Sequence, residues 1–259
     1  MTSVTLYSKI LGDKNKKDLL ILHGLLGSSD NWQTLAKKYA LEFRVHLIDA
    51  RNHGRSPHSQ DHSYELMAAD LLKYVDDHSI EKACLLGHSM GGKTVMLFSE
   101  NHPDRVSKLI VADISPKAYT PHHEHIFKAL KSTNPAIANS RNEVFAVLES
   151  QLGEDPVLIS FLMKNLRREK SGGYTWRFNL EALSVHLLDV TKQIHLSTNT
   201  VPTLFIYGAL SEYVRSEDLT ELEEYYLLLE HVCLENSGHW LHAQEPEQFF
   251  NATSGFLNS

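Results

Sequence analysis

Over residues 1–116, short apolar runs alternate with segments of helical periodicity, and each run stops at a polar residue. Such alternation constrains the chain strongly. Parallel strands can be joined only through a crossover, usually a helix, so the pattern predicts βαβ units around a mostly parallel sheet. Asp18–Leu22 stops at His23-Gly24, Arg44–Ile48 at Asp49, residues 82–87 at His88, and Val106–Ala112 at Asp113. Residues 4–10 alternate more weakly. Ser63 is a natural N-cap for a helix over about 64–78, where Met67, Leu71, Leu72 and Val75 make an apolar stripe. A further helix runs on from Gly91 and must close before Pro103.

From about residue 117 to 200 the pattern changes. Pro121, Pro135 and Pro156 punctuate amphipathic segments over 126–131, 143–152 and 157–165, and no strand is evident. Strand-like runs resume at 203–207 and at Leu229–Leu234, before a last helix opened by Pro246. The expected architecture is therefore an α/β core built from residues 1–116 and 201–259, with residues 117–200 inserted as a helical cap. A length of 259 residues suits one large domain with an insertion, and 42% hydrophobic residues supply a packed core.

Composition narrows the function classes. With 25 basic and 32 acidic residues the formal net charge is −7, and no cationic stripe is present, which argues against a nucleic-acid partner held through phosphates. No apolar run approaches the roughly 18–20 residues that span a bilayer, so no stable membrane insertion is expected. Residues 1–17 lack the apolar stretch of a signal peptide. Cys84 and Cys233 each fall in a strand-like segment and read as two buried, reduced thiols, so a cytoplasmic location is expected.

Gly87-His88-Ser89-Met90-Gly91 contains G-x-S-x-G between a strand and a helix. The bare pentapeptide arises by chance in roughly one chain in ten of this length; its setting makes it informative. A serine on a sharp strand-to-helix turn needs small flanking residues, here Gly87 and Gly91, and is lifted above the sheet. The helix that follows aims N–H groups at the place where a tetrahedral oxyanion would form, so the Met90 amide is one expected donor. The second should come from the loop after an earlier strand, and in His23-Gly24-Leu25-Leu26-Gly27 the Leu25 amide is the candidate. The plain alternative is a pair of glycine turns without chemistry.

Among sixteen histidines, position selects the base. His239 lies in Asn236-Ser237-Gly238-His239-Trp240 after the last strand candidate, as the order Ser, acid, His requires. It could take the serine proton and return it to the leaving group, with His242 flanking the site. For the acid, the segment after residue 207 reads Gly208-Ala209-Leu210-Ser211-Glu212, with serine where a carboxylate is usual. Asp113, closing the strand after the nucleophile helix, would emerge at the same sheet edge as Ser89 and is preferred to Glu212, which stays open.

These residues resemble the α/β-hydrolase superfamily and, within it, the YbfF-type bacterial esterases. The similar stretches are Leu22 to Ser28 with Asn31-Trp32, Asp49 to Ser56, Gly87 to Lys93, Asp113-Ile114-Ser115-Pro116, Trp176-Arg177-Phe178-Asn179, and Gly238-His239-Trp240 with His242. They span nearly the whole chain. The resemblance implies an acid at Asp113 and hydrolysis of short acyl esters and acyl-CoA thioesters without a cofactor.

Other features have ordinary readings. His122 and His125 share a helical face but lack a second pair at ligand spacing, so no metal is expected. Lys164, Arg167, Arg168 and Lys170 could meet a CoA phosphate, or simply form a charged helix face. Trp176 and Phe178 could line an acyl pocket or pack within the cap. Asp49 and Arg51 read as loop-fixing residues, and Lys93 has no assigned role. The expected function is a serine esterase or thioesterase acting on a small acyl substrate through Ser89, His239 and Asp113, with Leu25 and Met90 as oxyanion donors. The alternatives are a carbon–carbon bond hydrolase or lyase on the same scaffold, or a non-catalytic binding homologue.

Overall fold

The computed structural model describes residues 2–121, 123–153 and 155–259, so the reading of His122 lies outside the described residues. The first half of the chain forms β1 (Ser8–Leu11), β2 (Asp18–Leu22), α1 (Gln33–Tyr39), β3 (Arg44–Ile48), α2 (Tyr64–Asp77), β4 (Ala83–His88), α3 (Met90–Asn101) and β5 (Val106–Ala112). Then come α4 (Glu124–Ser132), α5 (Arg141–Leu152), α6 (Pro156–Met163), β6 (Leu166–Arg168), β7 (Tyr174–Trp176), α7 (Leu180–Val185) and α8 (Leu187–Thr191). The chain ends with β8 (Thr203–Gly208), α9 (Ser216–Tyr225), β9 (Leu229–Leu234), α10 (Leu241–Gln244) and α11 (Pro246–Asn258).

Seven strands make one sheet in the order β1-β3-β2-β4-β5-β8-β9. β1 pairs antiparallel with β3, and the remaining pairs are parallel. Strand periodicity sorts the core. Leu20 and Leu22 join Leu85, Leu109 and Val111 on the face covered by α2 and α3, while Leu19 and Ile21 join Val45, Leu47, Leu86 and Ile110 on the face covered by α1 and α11. Both faces are apolar because both are buried. Each such aliphatic side chain contributes on the order of 1.5–3 kcal/mol of burial free energy.

Local chemistry sets the helix starts. The Ser63 hydroxyl accepts the Leu66 N–H at 3.3 Å to open α2. Asp155 accepts the Leu158 N–H at 2.9 Å, and Pro156 supplies the first turn of α6.

The structure departs from the sequence reading in three places. The segment between β5 and β8 is not wholly helical: β6 and β7 pair antiparallel, with Leu166 opposite Trp176. Arg167 and Arg168 therefore lie on a ribbon rather than a helix face. Cys84 is buried on β4, but Cys233, near the end of edge strand β9, is only half-buried, since among the described residues no strand pairs with the outer side of β9.

Candidate active site

The sheet order changes direction between β2 and β4, so the loops leaving their carboxyl ends open into one crevice. β4 ends at His88 and α3 begins at Met90, leaving Ser89 alone between them at φ 53° and ψ −119°. A serine in this region costs about 1–3 kcal/mol, which surrounding contacts must offset. Ser89 N–H donates to Ala112 O at 3.0 Å, and Ser89 O accepts the Lys93 N–H at 3.1 Å. The two glycines are required by space. A Cβ at 87 would lie 2.3 Å from Gly91 O, and one at 91 would lie 2.5 Å from Leu22 O.

His239 lies in the loop between β9 and α10. Its Nε2 is 3.0 Å from Ser89 Oγ, and its Nδ1 is 2.7 Å from Asp113 Oδ2. With Nδ1–H donated to the carboxylate, Nε2 is left to accept the serine proton. Asp113 follows β5 at φ 50° and is buried. Its Oδ1 accepts the Gly208 N–H at 3.2 Å, and its Oδ2 also accepts the Ser211 hydroxyl. Thus Ser211, at the position where the sequence reading looked for a carboxylate, donates to the carboxylate that comes from β5. Of the two acids left open by the sequence, Asp113 is the one bonded to His239, whereas Glu212 is exposed.

His239 is also held by its ring and backbone. Tyr213 stacks on the imidazole with centroids 3.8 Å apart at 14°. His88 Nε2–H donates to His239 O at 2.8 Å. Burial, with His242 and His239 nearby, holds His88 well below the usual histidine range, so it serves this bond as a neutral ring.

The β2 loop is fixed by two more neutral imidazoles. His23 accepts the Ala50 N–H on Nε2 at 3.1 Å and donates Nδ1–H to Gly24 O at 2.8 Å. His53 accepts the Leu26 N–H on Nε2 at 3.1 Å and donates Nδ1–H to Arg51 O at 2.9 Å. Burial lowers the pKa of both. Leu26 N–H is bonded to His53 and Gly27 N–H to Gly24 O, whereas the Leu25 N–H, like that of Gly24, has no intramolecular acceptor among the described residues. A Cβ on Gly24 would lie 3.2 Å from Ser89 Cβ, which shows how closely this loop approaches the serine. Met90 N–H, in the first turn of α3, has no intrahelical partner by position. Asp49 and Arg51 brace the neighbouring loop: Asp49 accepts the Ser29 and Arg55 N–H groups, and Arg51 forms a buried ion pair with Asp70 at 2.6 Å.

Ser89 and His239 open into a cleft of about 210 Å³, whose lining includes Leu25, Ile126, Leu158, Phe161, Tyr213 and Trp240. Trp176 and Phe178 are not on this wall. They stack on each other at 5.3 Å within the segment between β5 and β8, and Trp176 Nε1–H donates to Thr133 Oγ1. Sequence reasoning missed Ile126, Leu158, Phe161 and Tyr213. The apolar run of α6 is a signal for two of them, but its direction depends on how the segment between β5 and β8 packs on the sheet. His242 is buried and stacked on Trp32 at 4.3 Å. His125 is exposed, and among the described residues no group of three or more His, Cys, Asp or Glu could hold a metal ion.

Comparison with known proteins adds the family context. Residues 18–145 match the family model described as the alpha/beta hydrolase fold. The sn-1-specific diacylglycerol lipase ABHD11 of Mus musculus is 36% identical over 259 residues, covering 97% of this chain and 84% of the relative. Esterase YbfF of Escherichia coli is 33% identical over 245 residues, covering 94% of each. A solved marine microorganism esterase superposes with a TM-score of 0.94 at 40% identity, covering 98% of this chain and all of that one.

Proposed function

The chain belongs to the α/β-hydrolase family, in the group that includes YbfF-type esterases, and on that premise we propose that it is a serine hydrolase cleaving carboxylic esters through an acyl-enzyme. The observation that carries this reading is the continuous bonded chain from Ser89 Oγ through His239 to Asp113, at 3.0 and 2.7 Å.

Ser89 Oγ attacks the acyl carbon as its proton passes to His239 Nε2, and Asp113 stabilises the imidazolium. The new negative charge falls on the carbonyl oxygen, where the Leu25 and Met90 amides receive it. An amide of this kind contributes about 10²–10³ in kcat. Collapse of the intermediate expels the leaving group, which takes the proton from His239. Water then attacks the acyl-enzyme with His239 again as base, and the acid is released.

The apolar lining by Ile126, Leu158, Phe161 and Trp240 supports an acyl substrate of modest size. Thioesters, including acyl-CoA, belong to the same proposal, because a thiolate leaves the same intermediate; exposed Lys164, Arg167, Arg168 and Lys170 are available to its phosphates. In this reading residues 117–200 act as a cap over a core of 1–116 and 201–259. Two unpaired thiols, Cys84 and Cys233, suit a reducing, cytoplasmic setting.

The test is a panel of acetyl, butyryl and palmitoyl p-nitrophenyl esters, the matching acyl-CoA thioesters and a vinylogous diketone, with Ser89→Ala beside the wild type. Turnover of the short esters is expected, falling by about 10⁴-fold or more in Ser89→Ala while the fold persists. Wild-type turnover in that variant refutes the nucleophile, and cleavage of the diketone alone moves the chemistry to carbon–carbon bonds.

A further inference from the structure

Lys93 is fully buried one turn into α3, the helix that Ser89 opens. A lysine in such a place is costly: even after relaxation the desolvation of an ammonium amounts to several kcal/mol, and a methionine would fill nearly the same volume without it. Here burial lowers the pKa of Lys93 to about 7, with Lys117 adding to the effect.

The surroundings indicate what the amine does. Lys93 Nζ donates to Lys117 O at 2.7 Å and to Lys192 O at 2.6 Å. It also stands 4.8 Å from the centre of the Tyr119 ring and 5.7 Å from that of Tyr64. The two carbonyls belong to different stretches of chain, the one leaving β5 for the inserted segment and the one returning from α8. These stretches are also tied to each other: Tyr119 N–H donates to Thr191 O at 2.8 Å, and Ile194 N–H donates to Pro116 O at 2.9 Å. Lys93 therefore grips both sides of the neck from the core.

From the neck, contacts run to the reacting histidine. The Tyr119 hydroxyl donates to Tyr213 O at 2.8 Å, and the two rings lie 5.2 Å apart. Tyr213 in turn stacks on His239.

We infer that Lys93 is a positioning residue: by clasping the Lys117 and Lys192 carbonyls it fixes Tyr119, and through Tyr119 it holds the Tyr213 ring that keeps His239 directed at Ser89. The inference rests on the reading of Ser89, His239 and Asp113 as the catalytic triad. It assigns Lys93 no contact with substrate. Its effect is on the rate of proton transfer at His239, not on substrate affinity.

A double-mutant cycle tests it, with kcat and KM for p-nitrophenyl butyrate, the rate of inactivation by a fluorophosphonate and the thermal unfolding midpoint measured for wild type, Lys93→Met, Tyr119→Phe, the double variant and Ser89→Ala. Lys93→Met should lower kcat and the inactivation rate about tenfold with KM within about twofold, because small misplacement of a reacting group is expensive. Tyr119→Phe should lower both about threefold. The double variant should match Lys93→Met, since residues acting along one path are not additive. Losses that multiply, a change in KM alone, or a shift of the unfolding midpoint with kcat unchanged would each overturn the inference. If Lys93→Met does not fold, Tyr119→Phe decides: lowered kcat and inactivation at unchanged KM support the inference, and unchanged rates overturn it. Ser89→Ala separates the two levels. Retained turnover there removes the triad reading and this inference with it, whereas inactive Ser89→Ala beside fully active Lys93→Met removes only the role of Lys93.

Discussion

The carboxylate of Asp113 receives three donors, the His239 Nδ1–H, the Ser211 hydroxyl and the Gly208 N–H, and is shielded from water. An amide in its place would turn an N–H toward one of these donors and fail to stabilise the charged imidazole. Asp113→Asn should therefore lower kcat on p-nitrophenyl butyrate by about 10³–10⁴-fold, while Glu212→Gln, at an exposed carboxylate, should leave it within about twofold. The reverse ranking would assign the acid to Glu212. In the sequence, Ser89, Asp113 and His239 are visible because each lies in a loop that leaves the carboxyl end of a strand-like run. The ring that stacks on His239 is not, because nothing local to Tyr213 tells where its face will rest.

At the level of elements, period and punctuation carry most of the reading. Asp18–Leu22, Arg44–Ile48, Val106–Ala112 and Leu229–Leu234 are strands with the bounds the apolar runs suggest, and Pro246 opens α11. These segments are buried on one or both faces, so their pattern is imposed by the core. The β6–β7 ribbon escapes notice because three residues per strand are too few to display an alternation. The same limit affects the segment between β5 and β8 generally. Trp176, Phe178 and Phe161 are all large and apolar, yet only Phe161 reaches the cleft, and that difference is decided by docking rather than by local periodicity. The elbow is the opposite case. There Gly87 and Gly91 mark a close approach of backbone to backbone that no other residue fits.

On the scale of the whole molecule, the fold brings together groups 126 and 150 residues apart in sequence, and buried neutral histidines brace the loops that do so. His23, His53, His62, His88 and His242 all have lowered pKa values, mainly from desolvation, with His62 and His242 at about 3. In the unfolded chain each returns to about 6.5. Below about pH 6.5 the unfolded state binds protons that the folded state refuses, so this contribution is complete above about pH 6.5 and is lost as the pH falls, toward 3 for His62 and His242. Each histidine contributes a slope of about 1.4 kcal/mol per pH unit. The unfolding free energy should therefore fall from pH 6.5 to 5, with net proton uptake on unfolding to which His62 and His242 contribute about one proton each near pH 5. A flat stability profile across that range would contradict the neutral, buried assignment. The central claim, that Ser89 carries the acyl group during turnover, is tested most directly by acid-quenching the enzyme with p-nitrophenyl butyrate and mapping the adduct by peptide mass spectrometry. The account predicts one butyryl group on Ser89, absent in Ser89→Ala; an adduct on another residue, or turnover with an unmodified Ser89 at every quench time, would contradict it.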